Sequence, residues 1–417
     1  MPTDYRLKKH LEPHSLNKGY KLRNRFIQLL LAASGVFLLS CTSTQRRVLL
    51  RWDASTKDYL YFPQRKIECG KYTRTFTRKI NPQYEELLKQ EFNTESLDKF
   101  IRKTKTQAII IIKDDTIVIE KYGAKYSENS VVTSFSVAKS FDSAIIGTLI
   151  ESGKIKSVNE PVTNYIPKLL ERDKSFQKIS IRHLMLMSSG ILYEEKFPRK
   201  DNTKTYFNPD LRNLAINNTL IKEKPESHFR YNNYNPLLLG LIIERASGES
   251  VSSYFSRAIW SKMGAEADAT WSLDSSKSSF EKMESGINAR ALDFARFGCL
   301  YRDGGIADGK IVIEKKWIEE SLSNGSKDEN YYNDSWGKQI YNGVNGNGGY
   351  YGYFWYVLKR NNAKSDFFAY GNKGQFIYVS PAANTVIVRF GEKYGINGWK
   401  YIEAFYNLNS KAGGIND

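Results

Sequence analysis

The stretch Ser136-Val137-Ala138-Lys139-Ser140-Phe141 lies at a change of pattern in the chain. Behind it, from Val137 to Ser152, apolar residues recur at helical spacing, and Gly153 is placed to end a helix. Ahead of it stand Ala108-Ile109-Ile110-Ile111-Ile112 and Thr116-Ile117-Val118-Ile119-Glu120, two β-branched runs around Lys113-Asp114-Asp115 that predict a hairpin. A serine and a lysine three positions apart thus open a long apolar helix that follows paired strands.

On a helix, residues i and i+3 share a face, so Lys139 Nζ can approach Ser136 Oγ and take its proton when the amine is neutral. Burial under the apolar helix and the positive end of the helix dipole both disfavour a charged lysine there, while the same dipole favours a developing alkoxide. The spacing alone is common, recurring at Ser96/Lys99, Ser175/Lys178, Ser279/Lys282 and Ser335/Lys338. Of these serines, Ser136 is the one between a strand hairpin and a long apolar helix.

Histidine chemistry has little material. Beyond residue 40 the chain holds His183, inside an apolar helical run, and His228, before Phe229, and both read as packed or turn residues. No His-Glu-x-x-His, Gly-x-Ser-x-Gly, Walker loop or helix-opening Gly-x-Gly-x-x-Gly occurs. A second element, Tyr231-Asn232-Asn233, precedes Leu237-Leu238-Leu239-Gly240. A phenol beside a Ser-Lys pair can relay a proton to a leaving group, and the Asn233 amide can donate to a substrate carbonyl and hold the lysine. A third, Tyr370-Gly371-Asn372-Lys373-Gly374-Gln375, falls where a strand begins, and the Gln375 N–H can join that of Ser136 as an oxyanion hole.

Outward from these motifs, a helical stretch from Tyr84 to Lys103 precedes the hairpin, and a mostly helical region runs from about 155 to 300. Strand patterns return at Tyr353 to Leu358, Gln375 to Val379 and Thr385 to Phe390, with a turn at Pro381 to Asn384 and an amphipathic helix from Trp399 to Leu408. Strands at both ends with helices between predict an α+β architecture: an antiparallel sheet built from both chain ends, flanked by helices, with a helical insertion. The folded domain is expected to span 82–417, behind an irregular tether over 41–81 rich in Arg, Lys and Thr.

Taken in order, Ser136-Val-Ala-Lys139, Ile181-Arg-His-Leu-Met-Leu-Met-Ser-Ser-Gly190, Phe229-Arg-Tyr-Asn-Asn233, Ala291-Leu-Asp-Phe-Ala-Arg-Phe-Gly298 and Gly371-Asn-Lys-Gly-Gln375 resemble the class C β-lactamase-like serine hydrolases over about residues 105 to 405. The resemblance implies a penicillin-recognising fold, a nucleophile at Ser136, a base at Lys139, a proton-relaying Tyr231 and a supporting Asn233. It puts the family's third motif, Lys-Thr-Gly in many members, on Asn372-Lys373-Gly374, where the first position is neutral and the cation stands one residue along. That departure weakens the case for recognition of a substrate carboxylate. The Ser136 to Phe141 stretch and the Tyr351-Gly-Tyr-Phe-Trp-Tyr356 run are most similar to the branch that includes 6-aminohexanoate-dimer hydrolase and related esterases. The aromatic run can line an acyl pocket or simply pack the sheet.

The implied activity is cleavage of a small ester, amide or peptide through an acyl-enzyme on Ser136, with no metal or organic cofactor needed. A β-lactamase or DD-peptidase acting on penicillins or cell-wall peptides, and a non-catalytic envelope binding protein of the same fold, are the alternatives.

Composition agrees with a globular enzyme. The 417 residues are 41% hydrophobic, 26% charged and 13% aromatic, which excludes a collagen, a disordered scaffold and a multi-span membrane protein. The formal net charge is +17. Basic residues precede an apolar run from Ile27 to Ser40, too short to span a bilayer comfortably and of signal-peptide length. It ends in Leu38-Leu39-Ser40-Cys41, which resembles the lipobox of bacterial lipoproteins, so 1–40 is expected to be a leader and Cys41 the lipidated residue of a membrane-anchored envelope protein. The remaining Lys and Arg are scattered and match no nucleic-acid-binding pattern; an anionic membrane surface suits them better. Cys69 and Cys299 can pair in an oxidising envelope, but a free thiol and a buried small hydrophobe is the preferred reading.

Overall fold

The computed structural model describes residues 43–51, 53–197, 199–323, 325 and 328–414. The chain divides into two units, 1–53 and 54–417. In the first, the described residues form a helix, Ser43–Arg51. The expected leader and Cys41 lie outside the described residues.

The second unit is built on an eight-stranded sheet. Its strands are β1 (Thr77–Arg78), β2 (Thr106–Lys113), β3 (Thr116–Tyr122), β4 (Gly349–Tyr351), β5 (Tyr356–Leu358), β6 (Asp366–Gly371), β7 (Gln375–Ser380) and β8 (Thr385–Gly391). The order across the sheet is β4-β5-β6-β7-β8-β2-β3-β1, antiparallel except for the β1–β3 edge. The two chain ends meet where β8 pairs with β2, Val388 opposite Ile110. The predicted hairpin is present, and Asp114 and Asp115 both take positive φ, 49° and 55°, the geometry a two-residue turn between twisted strands requires.

The successive isoleucines of β2 are explained by cover on both faces. Along β7, Ile377 faces the helix Ala291–Arg302 and Phe376 and Tyr378 face the opposite layer, as a period of two dictates. The helices concerned are α1 (Pro82–Glu91), α2 (Leu97–Lys103), α3 (Ala138–Glu151), α4 (Tyr234–Ser247), α5 (Ala291–Arg302) and α6 (Gly398–Gly413). Gly298 of α5 lies so close to the sheet that a Cβ would come within 2.7 Å of Val386 and 2.9 Å of Ile377. On the other face, Phe405 of α6 meets the rings of Phe376 and Tyr378 at 5.8 Å. Helix α3 is buried over nearly its whole length, packs against α4, and is closed by Gly153 at φ 71°, as expected.

Two expectations are corrected. The single helix expected over Tyr84 to Lys103 is two, α1 and α2, because Asn93 turns the chain at φ 47° and Ser96 starts a new cap on Lys99 N. The folded unit starts at Ala54 instead of Pro82. Gln64–Ile67 is a strand despite its polar sequence, held by backbone pairing to Ala269–Ser272 and anchored by the buried Ile67. Within the mostly helical insertion, Ala269–Ser272 and Ile287–Arg290 join Gln64–Ile67 and Val131–Thr133 in a second antiparallel sheet. That small sheet positions the site, since Val131–Thr133 ends three residues before Ser136 and Ile287–Arg290 begins three residues after Glu284. Cys69 and Cys299 are both free, and Cys299 is buried.

Candidate active site

Ser136 lies in a single 3₁₀ turn, Phe135–Val137, that feeds α3. The buried Phe135 before it takes φ 43°, a left-handed conformation unfavourable for a bulky residue and fixed here by its surroundings. Ser134 supplies that fixation. Its N–H donates to Ile287 O at 2.8 Å, its Oγ donates to Ser285 O at 3.2 Å, and its Oγ accepts from Ile287 N at 3.1 Å.

One turn into the helix, Lys139 is 1% exposed. Its Nζ donates to Ser136 Oγ at 3.0 Å and to the carbonyl oxygen of Glu284 at 3.0 Å. The same ammonium lies over the ring of Tyr231, 5.0 Å from its centroid. The structure therefore brings together Ser136, Lys139 and Tyr231, the three residues expected to carry chemistry.

These groups border a cavity of about 370 Å³. Ser136, Tyr231, Asn233 and Asn372 line it, with Tyr193, Glu195, Asn202, Trp336, Tyr356, Tyr370, Gly371 and Tyr394. One wall is aromatic. Trp336 stacks on Tyr370 at 5.2 Å, and its indole N–H donates to Tyr356 Oη at 3.3 Å. Burial pushes the phenols of Tyr193, Tyr356, Tyr370 and Tyr394 up, so they remain protonated around the cavity. Of the Tyr351 to Tyr356 run, Tyr356 reaches the cavity, whereas Tyr353, Phe354 and Trp355 are core residues.

The third motif is placed differently from expectation. Lys373, Gly374 and Gln375 do not line the cavity, whereas Gly371 and Asn372 do. Gly371 passes so near the nucleophile turn that a Cβ would come 2.6 Å from Ser134 O and 3.0 Å from Ser136 N. Gln375 turns its amide inward, donating to Asn372 O at 3.0 Å and Gly391 O at 2.8 Å and accepting from Gly391 N at 3.0 Å. It braces the turn from behind. The buried Arg389 does so too, donating to the carbonyls of Lys373 and Gly374, each at 2.7 Å.

Asn233 also departs from expectation. Lys139 is held by Glu284 O, and the Asn233 amide nitrogen donates to Tyr193 Oη at 3.0 Å and Asn202 Oδ1 at 3.3 Å. Both histidines are structural. His183 completes a capping box with Ser180, and His228 Nδ1 pairs with Glu223 at 2.8 Å. Behind Lys139, Asp142 is fully buried with both carboxylate oxygens unpartnered, and burial raises its pKa well above the usual carboxylate range.

Sequence reasoning missed Glu284, Tyr193, Glu195, Asn202, Trp336 and Tyr394. Glu284 acts through a backbone carbonyl, which any residue type supplies, and the others come from separate segments with no spacing to mark them. Gly371 adjoined the expected motif and was the one recoverable signal.

The β-lactamase family model matches residues 97–395. The chain belongs to the β-lactamase family. Within this family it is 25% identical over 304 residues to the 6-aminohexanoate-dimer hydrolase of Paenarthrobacter ureafaciens, covering 70% of this chain and 74% of that one. A Bacillus anthracis structure provisionally named as a 6-aminohexanoate-dimer hydrolase superposes with a TM-score of 0.73 at 22% identity, over 87% of this chain and 93% of that one. A class C β-lactamase superposes with a TM-score of 0.56 at 14% identity, over 79% and 96%. The resemblance seen in the motifs thus extends over most of the fold.

Proposed function

We propose that the protein is a serine hydrolase that cleaves an ester or amide through an acyl-enzyme on Ser136. The observation that carries this reading is the 3.0 Å contact between Lys139 Nζ and Ser136 Oγ at the wall of the cavity. Lys139 in its neutral form takes the Ser136 proton as Oγ attacks the carbonyl. Two backbone N–H groups then hold the developing oxyanion, those of Ser136 and, in place of the expected Gln375, Asn372, the residue after the close-packed Gly371. The breaking bond passes its electrons to the leaving group, which receives a proton relayed by Tyr231. Water, deprotonated by the same groups, releases the acyl part and restores Ser136.

The lining supports esters and amides over penicillins, because Lys373 does not line the cavity and no other lysine or arginine among the described residues does. The apolar run ending at Cys41 and the surplus of basic residues support a lipid-anchored protein at an anionic envelope membrane. The test is hydrolysis of p-nitrophenyl acetate and butyrate by the detergent-solubilised full chain beside its Ser136→Ala variant. Turnover present in the first and absent in the second is expected. Equal, negligible rates in both would refute the reading.

A further inference from the structure

Among the described residues of the second unit, the most exposed large hydrophobic side chains are Phe197, at 83%, and Leu60 and Tyr61, at 64% each. All three adjoin one short helix, Asp201–Phe207. Phe197 stands just ahead of it in the chain. Tyr61 precedes Phe62, whose ring meets that of Tyr206 edge-on at 6.0 Å, and Tyr206 Oη donates to the buried Asp58 at 2.8 Å. A further exposed leucine, Leu220, lies beside the same segment, where Leu192 N donates to its carbonyl oxygen at 2.7 Å. Apolar side chains this exposed, gathered along one segment, mark a contact surface.

The charges around them say what kind of surface. Phe197 sits within Lys196-Phe197-Pro198-Arg199-Lys200, three bases and no acid, and Lys200 Nζ lies 6.0 Å from its ring centroid. Lys57 is exposed next to the Leu60 turn. The acids of the two stretches, 54–62 and 192–207, are Asp58, Glu194, Glu195 and Asp201. Asp58 and Asp201 are buried, the latter bonded by Arg199 Nε at 2.8 Å, and Glu195 lines the cavity. That leaves Glu194 alone to set against Lys57, Lys196 and Lys200. A protein partner would have to bury those lysines, which the cores of protein interfaces exclude. A bilayer accepts the whole set: aromatic rings settle at the headgroup level, and anionic lipid phosphates attract lysines beside them.

We propose that this face docks on an anionic lipid bilayer, with Phe197 entering the headgroup region and Lys57, Lys196 and Lys200 against the lipid phosphates. The proposal rests on the envelope-membrane placement above and adds the face that meets the bilayer. Where the chain enters the second unit agrees with it. Ala54 follows Cys41 by 13 residues, a stretch that spans roughly 45 Å at most. A lipid on Cys41 therefore keeps Ala54, and the Leu60 turn just after it, within that reach of the membrane. The docked segment also supplies Tyr193, Glu195 and Asn202 to the cavity lining, so that side of the cavity adjoins the bilayer surface.

The experiment uses the full chain with Cys41→Ser and Cys69→Ser, which leaves the buried Cys299. A nitrobenzoxadiazole label is attached through Phe197→Cys or, in a separate sample, through Ile311→Cys, an exposed position on the hairpin formed by Ile306–Ala307 and Lys310–Ile311. Vesicles contain phosphatidylcholine, with or without one third phosphatidylglycerol. On the anionic vesicles the label at 197 should brighten at least twofold, shift to the blue and be quenched by nitroxide lipids, while the label at 311 stays unchanged. Half-molar salt, or Lys196→Glu with Lys200→Glu, should remove the response. Flotation of the unsubstituted chain with the same vesicles is read in parallel. A chain that floats while position 197 keeps its solvent-like emission, or positions 197 and 311 that respond alike, would overturn the docking and leave the membrane placement standing. A chain that does not float overturns both. Brightening at 197 without vesicles that grows with protein concentration would assign the face to a second copy instead. None of these readings depends on turnover, so the hydrolase reading is tested separately.

Discussion

Lys139 Nζ is shared equally between Ser136 Oγ and the carbonyl oxygen of Glu284, at 3.0 Å to each. The carbonyl holds the long side chain against the nucleophile. Removal of the amine should therefore slow the acylation step severely. Lys139→Ala is expected to slow acylation about 10³-fold or more, as loss of a member of one proton-transfer unit does. Lys139→Arg should be no better, because a guanidinium stays charged and cannot accept a proton. Stopped-flow release of p-nitrophenol in the first turnover measures this, and a burst of wild-type rate in either variant would exclude Lys139 as base.

Gly371 is a second sensitive point. Its φ lies in the ordinary range, so the constraint is steric: an alanine methyl would press on Ser134 O and Ser136 N at 2.6 and 3.0 Å. Backbone atoms on both sides cannot yield as a flexible side chain would. The expected result for Gly371→Ala is a folded protein whose kcat falls about 10²-fold, the order expected from displacing reacting groups by up to an ångström. Circular dichroism and ester kinetics on the same sample check both halves.

The sequence was legible where local pattern and burial agree. The isoleucine hairpin, α3 with Gly153 behind it and the Thr385 to Phe390 strand all declare themselves through runs of β-branched residues or helical periodicity. Gln64–Ile67 does not, because a polar four-residue strand is chosen by its distant partner Ala269–Ser272. The site divides the same way. Ser136, Lys139 and Tyr231 are chemistry-bearing side chains at recognisable spacings, whereas the Glu284 carbonyl, the close approach of Gly371 and the Asn202–Asn233 bond exist only once segments far apart in sequence have packed together. Gln375 stands off the cavity lining for a related reason. A motif of small residues marks a tight turn but not which of its N–H groups faces the cavity.

Arg389 makes a third case. Fully buried, it donates to the carbonyls of Lys373, Gly374, Thr104 and Lys393 and to Thr106 Oγ1, and its guanidinium lies 4.7 Å from the Tyr401 ring centroid. Desolvation lowers its pKa, yet an arginine so bonded remains the donor that satisfies several acceptors at once. Arg389→Met removes the charge and strands those carbonyls. A loss of about 3–5 kcal/mol is expected, read as a lower urea midpoint at unchanged slope. Activity should fall as well, since the turn carrying Asn372 loses its brace. A variant as stable as the wild type would mean that water replaces the guanidinium.

Asp142 allows a prediction with a definite sign. It is fully buried, neither oxygen has a partner, and burial raises its pKa well above the ordinary value, with Glu284 adding to the rise and Lys139 opposing it. In the unfolded chain the same carboxyl ionises near pH 3.9. Below that pH the group is neutral in both states and costs nothing. As pH rises past it, the unfolded state gains by ionising while the folded state stays protonated, so stability drains away until the folded pKa is reached. Asp142→Asn keeps the shape and removes the titration. The variant should be more stable than the parent at pH 7.5, by roughly 1.4 kcal/mol for every pH unit that the folded carboxyl stays protonated beyond its unfolded pKa, with the difference shrinking toward zero near pH 4. Urea unfolding of the pair at both values reads it out. Were Asp142 instead ionised against a charged Lys139, the substitution would destabilise the protein at pH 7.5, and the opposite sign of that difference separates the two states.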